Sequence, residues 1–269
     1  WKNRVKLRGG LQSKWQSFIF LNKAIRQHRS FVAMHESDYN IMLLRPLGFT
    51  YDFSKREQYK PQINLSETEL TTHLRSFVED LREQNKTIGR PFFFIHPGMT
   101  GHTLNWSSRN YARLVFKMEQ LQPNKYIFII SHTASDEPFL VALRDYFKAN
   151  LSDELSKRVY FFDGIKRGLR HYMSILSQAD IFVGPSTGTT HIANTLGIKQ
   201  VGIYSPIKAQ SSFRWGPFSR NHDKTKVIVP DVVCGELNQC SGLSCPYYPC
   251  MDKVEVDDVL EAVRQLNAN

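Results

Sequence analysis

The chain has 269 residues, 41% of them hydrophobic and 22% charged, and a formal net charge of +10. This is the composition of an ordinary soluble globular protein with apolar residues enough for a sizeable core, in one large domain or two small ones. It argues against a repetitive or low-complexity chain; no apolar run reaches the ~18 residues of a membrane-spanning helix, and no signal-peptide pattern opens the sequence.

The charge is concentrated at the front. Residues 1–60 carry 12 Lys and Arg against 4 Asp and Glu, and the first 30 carry no acid. Lys14, Trp15, Phe18, Ile19, Lys23, Ile25, Arg26 and Arg29 interleave basic and apolar groups at near-helical spacing. Such a helix fits an acidic substrate or an anionic membrane surface, or else a core helix with a solvated basic side. No nucleic-acid motif is present, so nucleic acid is not the expected partner. The chain opens on Trp1 rather than Met, as a fragment or trimmed chain would.

Residues 50–90 read as a linker and a helix that joins two lobes. Within them Ser66 is the predicted N-cap, and Glu69 three residues later completes a capping box. From residue 91 strands and helices alternate. Strands are predicted at 91–96, 125–131, 158–163, 180–183 and 200–205, with helices near 107–121, 136–149, 166–178 and 188–196. That order argues for a parallel, doubly wound sheet. In such sheets ligands bind beyond the carboxyl ends of the strands. Three polar stretches fall there: "HPGMTGHTLNW", "SHTASDE" and "GPSTGTTH". The last runs from a strand straight into a helix, with Gly197 as its stop. A hydroxyl- and glycine-rich helix start directs unpaired N–H groups and the helix dipole at an anion. The plainer reading makes Ser186 or Thr187 an N-cap and nothing more. Three polar stretches along one sheet edge favour the anion site.

All four cysteines lie within residues 234–250, with no C-x-x-C pair. Reduced thiols, a disulfide and an atypical metal knot all remain possible readings; with no export signal the thiols are expected to be free and metal-free. The last stretch, "VEVDDVLEAVRQL", reads as an amphipathic helix.

Taken together, these stretches resemble the heptosyltransferases of lipopolysaccharide core assembly, glycosyltransferase family nine. The resemblance rests on Ser186, Thr187, Gly188, His191, Ala193, Leu196 and Gly197; on His96, Gly98, Thr100 and Trp106; on "FRWGP" (213–217); on the cysteine-containing tail ending "CM"; and on "HRSFVAMHESDYNIMLLRPLG" (28–48), similar to the end of the family's first lobe. It implies an α/β protein of GT-B type, two Rossmann-like lobes facing a cleft, with the N-terminal lobe incomplete in this chain. The implied divisions are 1–65 for the remainder of the acceptor lobe, 66–90 for the linker and connecting helix, 91–253 for the nucleotide-sugar lobe and 254–269 for a terminal helix. It further implies inverting, metal-independent transfer of heptose from ADP-heptose to a lipid-linked saccharide acceptor of the lipopolysaccharide inner core, without a cofactor. The enzyme would be cytoplasmic and peripherally associated with the anionic surface of the inner membrane.

Carried over residue by residue, Thr187 and Gly188 would meet the diphosphate, with Thr189 beside them. Ser186 would contact the diphosphate or the heptose, and His191 would hydrogen-bond the same group. Glu137 matches an acid that binds ribose hydroxyls, and Lys166 and Arg167 lie where the family wraps the adenine. The turn bearing His96, Gly98 and Thr100 belongs to the same substrate site, as does Arg214. Simpler roles stand beside these: His96 as a satisfied histidine at a strand end, Trp106 as core, Arg214 and Trp215 as loop packing, and Glu137 as a helix-start acid. Two departures stand out. The family's lysine two residues before the Trp is Leu104 here, with His102, Lys166 or Arg214 as candidate substitutes, and the usual turn aspartate is Ser186. The catalytic base is unassigned and is expected upstream of Trp1. Rival readings are transfer to a protein acceptor, use of another nucleotide sugar, and sugar-nucleotide binding without turnover.

Overall fold

The basic front does not form one helix. The computed structural model describes residues 5–99, 104–218, 223–235 and 238–268. In it β1 (Gly9–Leu11) pairs in parallel with β2 (Lys23–Ile25), and the six-residue helix α1 (Trp15–Phe20) joins them. The helix predicted from Lys14 to Arg29 ends at Phe20 because Leu21 turns extended (φ −97°, ψ 134°). Asn22 then fastens the chain to the residues that lead into β1. Its Oδ1 accepts from Arg8 N (2.9 Å), and its Nδ2 donates to Lys6 O (2.8 Å). Lys23 and Ile25 therefore lie on a strand. Helix α2 (Glu36–Met42) follows, started by His35, whose Nδ1 accepts from Ser37 N at 3.1 Å.

The connecting segment is part of the core. Helix α3 (Glu67–Glu83) starts at Ser66, whose hydroxyl accepts from Glu69 N at 3.2 Å as expected. Ser66 makes its half of the predicted capping box; the Glu69 carboxylate instead takes the Arg170 guanidinium. Phe77 and Leu81 of α3 are fully buried.

The strand–helix alternation then runs as β3 (Phe92–Ile95), α4 (Ser108–Leu121), β4 (Ile127–His132), α5 (Glu137–Asn150), α6 (Asp153–Ser156), β5 (Val159–Asp163), α7 (Leu169–Leu176), β6 (Ala179–Pro185), α8 (Gly188–Thr195), β7 (Lys199–Ile203), α9 (Ser212–Trp215), β8 (Thr225–Ile228) and α10 (Val256–Ala268). The six strands β3–β8 form one parallel sheet in the order β5-β4-β3-β6-β7-β8. Strands buried on both faces read as unbroken apolar runs, and β3 is buried at all four positions. Alternate residues serve opposite layers. Phe93 and Ile95 pack with α4, α5 and α10, while Phe92 and Phe94 pack with α3, α7 and α8. Gly197 ends α8 in the left-handed region (φ +73°), the stop read from the sequence.

This strand order reverses direction at β3. The chain builds outward through β4 and β5, then returns to the other side of β3 for β6, β7 and β8. In open α/β sheets the crevice at such a reversal, beyond the carboxyl ends of the strands, is where ligands bind. Here it lies between the loops after β3 and β6.

Candidate functional site

A cavity of about 630 Å³ opens at this reversal. Ser186, Thr187, Gly188 and His191 line it from α8 and the turn before it, Gln210, Arg214 and Trp215 line it from the segment between β7 and β8, and Met99 lines it from the β3 loop. The start of α8 is built to leave donors uncovered. Thr187 occupies the N-cap with extended backbone (φ −135°, ψ 173°), yet its side chain caps nothing. Its hydroxyl instead pairs with that of Thr189 at 2.8 Å. Among the described residues the amides of Gly188 and Thr189 have no hydrogen-bond acceptor. This removes the plain N-cap reading. Unfilled N–H groups at the positive end of a helix dipole can bind an anion. A Cβ on Gly188 would meet no atom within 4 Å, so this glycine faces open space at the cavity.

His191, one turn into α8, has its proton affinity lowered by burial and, secondarily, by the nearby His35. It is therefore a neutral hydrogen-bonding group at neutral pH, not a fixed cation. Positive charge comes from Arg214. Its Nε donates to Glu36 Oε2 at 2.9 Å, its guanidinium lies 5.1 Å from the Trp215 ring centroid, and Trp215 Nε1 donates to Ala209 O at 2.9 Å.

Beneath the β3 loop sits a buried polar group. His96 Nδ1 lies 3.1 Å from the Ser131 hydroxyl, and its Nε2 is 4.0 Å from Asp136. Burial lowers the His96 pKa, partly opposed by Asp136. Asp136 in turn accepts from Thr133 N (2.7 Å) and Thr133 Oγ1 (2.8 Å). Gly98 lies directly over this carboxylate: a Cβ there would fall 2.2 Å from Asp136, so the loop's path to the cavity requires glycine. His96 is thus a buried strand-end histidine held by Ser131 through one ring nitrogen beneath the loop.

Of the residues singled out from sequence, Ser186, Thr187, Gly188, His191 and Arg214 converge on one cavity, with Thr189 bonded to Thr187 beside it. Thr100 and His102 lie outside the described residues. Glu137, Lys166 and Arg167 follow β4 and β5 along the same sheet edge but do not line the cavity. Glu137 opens α5 and pairs with Arg144, Lys166 is exposed in the turn after β5, and Arg167 pairs with Asp80 of α3 at 2.7 Å. Trp106 is core, its Nε1 donating to Val254 O at 2.8 Å.

The sequence reading missed His35 and Glu36. One signal existed: Glu36 is the first acidic residue of the chain, after a wholly basic stretch. The four cysteines are free thiols, and burial raises the pKa of Cys234 and Cys250. Among the described residues no group of three or more His, Cys, Asp or Glu is arranged to hold a metal ion.

Comparison with known proteins places these features in a family context. The model of glycosyltransferase family 9 (heptosyltransferase) matches residues 5–234. A curated Haemophilus influenzae protein named as a glycosyltransferase is 26% identical over 219 residues, which cover 81% of this chain and 59% of that protein. The solved E. coli ADP-heptose lipopolysaccharide heptosyltransferase II superposes with a TM-score of 0.62 at 21% identity, over 91% of this chain and 65% of that one. A family 9 glycosyltransferase from Veillonella parvula gives 0.67 at 17% identity, over 99% of this chain and 68% of that one. The chain thus spans somewhat under two thirds of the curated relative's length.

Proposed function

The chain belongs to glycosyltransferase family 9, the heptosyltransferase family, and from that membership we propose that it transfers heptose from ADP-heptose to a lipopolysaccharide inner-core acceptor, with inversion and without a metal. The observation that carries the proposal is the cavity at the sheet reversal, where uncapped α8 amides, the Thr187 hydroxyl, His191 and Arg214 face one space. In the transfer an acceptor hydroxyl attacks the anomeric carbon from the face opposite ADP. A new C–O bond forms as the bond to the diphosphate breaks, and the hydroxyl proton passes to a base that the described residues do not assign. Negative charge grows on the departing diphosphate. Preorganised N–H donors, a helix N-terminus and a guanidinium placed at that group stabilise the transition state more than the ground state. Arg214 supplies the cation that the family's lysine would supply at Leu104.

Acceptor and membrane fall to the front of the chain. No helix among the described residues is long and apolar enough to cross a membrane, and the basic front would instead meet the anionic surface of the inner membrane from the cytoplasmic side. The test is turnover. Incubated with ADP-heptose and heptose-free inner-core acceptor, the protein should release ADP and add one heptose with inverted anomeric configuration, read by mass spectrometry and NMR, with or without EDTA. ADP binding without any transfer would favour a binding protein and overturn the enzyme reading.

A further inference from the structure

Glu36 and Arg214 stand 178 residues apart in sequence and meet across the seam between the front segment and the large lobe. Both side chains are largely buried, at 10% and 15% exposure. Glu36 is also paired with Arg29, whose guanidinium is itself fixed within the front segment by Asn40 Oδ1 (3.0 Å) and by the Tyr39 ring beneath it (5.6 Å). The neighbouring residue makes a second tie. Since Ser37 N donates to His35 Nδ1, the ring proton sits on Nε2, which donates to Gly216 O at 2.8 Å. Two adjacent front residues therefore grip the segment 214–216 at both ends.

We propose that Glu36 is a positioning residue for the donor site: it holds the Arg214 guanidinium at the cavity rim, so that the front segment sets the geometry with which a nucleoside diphosphate is bound. Arg214 uses Nε for Glu36 and Nη1 for Ala209 O (3.5 Å), and its Nη2 makes no hydrogen bond among the described residues. Guanidinium groups bind phosphate through paired N–H donors in a fixed fork, so their orientation matters as much as their charge. The charge balance agrees. Two arginines and one carboxylate leave a single positive charge, presented to the cavity through Arg214. An alternative gives the opposite sign: if Glu36 acted only as a nearby negative charge, removing it would tighten the binding of an anion.

The inference rests on the proposed diphosphate site, and its test separates the two. ADP and adenosine affinities are measured by calorimetry for the wild type, Glu36→Gln, Arg214→Met and the double variant. The expected result is ADP binding weakened about tenfold by Arg214→Met and about fivefold by Glu36→Gln, no further loss in the double variant, and unchanged adenosine affinity throughout. A purely structural role would weaken both ligands alike. Should Glu36→Gln fail to fold, Glu36→Asp keeps the charge but shortens the reach and should give the same selective loss. ADP binding that is unchanged or tighter in a folded Glu36 variant, or losses that add in the double variant, overturns the positioning role while leaving the diphosphate site intact. No ADP binding by the wild type overturns both.

Discussion

Three histidines, His96 and His171 buried and His191 half-buried at the cavity wall, are kept neutral by their surroundings. Burial lowers the proton affinity of His96, His171 and His191 below the ordinary value of 6.5. Below about pH 6.5 the unfolded chain binds protons at these positions that the folded chain refuses, so their stabilising share is complete above that pH and lost as the medium is acidified. A histidine that stays unprotonated in the fold contributes a slope of up to ~1.4 kcal/mol per pH unit. The thermal midpoint should therefore fall between pH ~7.5 and ~5.5, and by less in His191→Asn than in the wild type; equal falls would show that His191 does not titrate on unfolding. The residues around α8 were legible in the sequence because strand, turn and helix follow each other locally. Glu36 was not, because its role depends on a contact 178 residues away.

At the level of elements, α3 shows how a segment read as a connector becomes core. Phe77 meets Phe92, Tyr160 and Phe162 edge-on, with ring centroids 5.2 to 5.6 Å apart. Phe77→Ala should cost about 3–5 kcal/mol, and urea unfolding should remain one cooperative transition. A loss below ~1 kcal/mol, or a separate early transition, would show that α3 hangs loosely between lobes. The central strands were readable as apolar runs, and four of the five predicted strand starts fall within one residue of the observed ones. The edge strand β8 was missed. It has four residues, carries Lys226 and leaves Val227 41% exposed, so it lacks the buried run that marks its neighbours. The front was misread for the opposite reason: its helical spacing was present, but α1 buries none of its residues, and pairing of β1 with β2 decided the local structure.

Across the whole molecule, apolar exposure and positive charge coincide at the front. Trp15, Phe18, Ile19 and Phe20 of α1 are 47% to 67% exposed, and Lys14, Lys23 and Arg26 are exposed around them. Arg29, which the sequence grouped with these, is engaged by Glu36 and is not part of that surface. An anionic bilayer attracts such a surface at up to ~1 kcal/mol per basic residue, screened by salt. Replacing Lys14, Lys23 and Arg26 by Gln should reduce sedimentation with anionic vesicles at low salt while leaving ADP affinity unchanged. Vesicle binding at the wild-type level would make the front a solvated face only.

Fold, cavity and family membership all bear on one claim, that the start of α8 holds the diphosphate of a nucleotide sugar. Gly188 tests it most directly, because a Cβ there meets no atom within 4 Å and the residue lines the cavity, so a side chain projects into open space at the start of α8. The measurement is ADP calorimetry on the wild type and Gly188→Val, with circular dichroism to establish that the variant is folded. ADP should bind the wild type, and the variant should lose ~1.5–3 kcal/mol of affinity, because the added side chain holds the diphosphate off the α8 amides and costs it about one charge-assisted hydrogen bond. A folded Gly188→Val protein that binds ADP as tightly as the wild type would contradict the site.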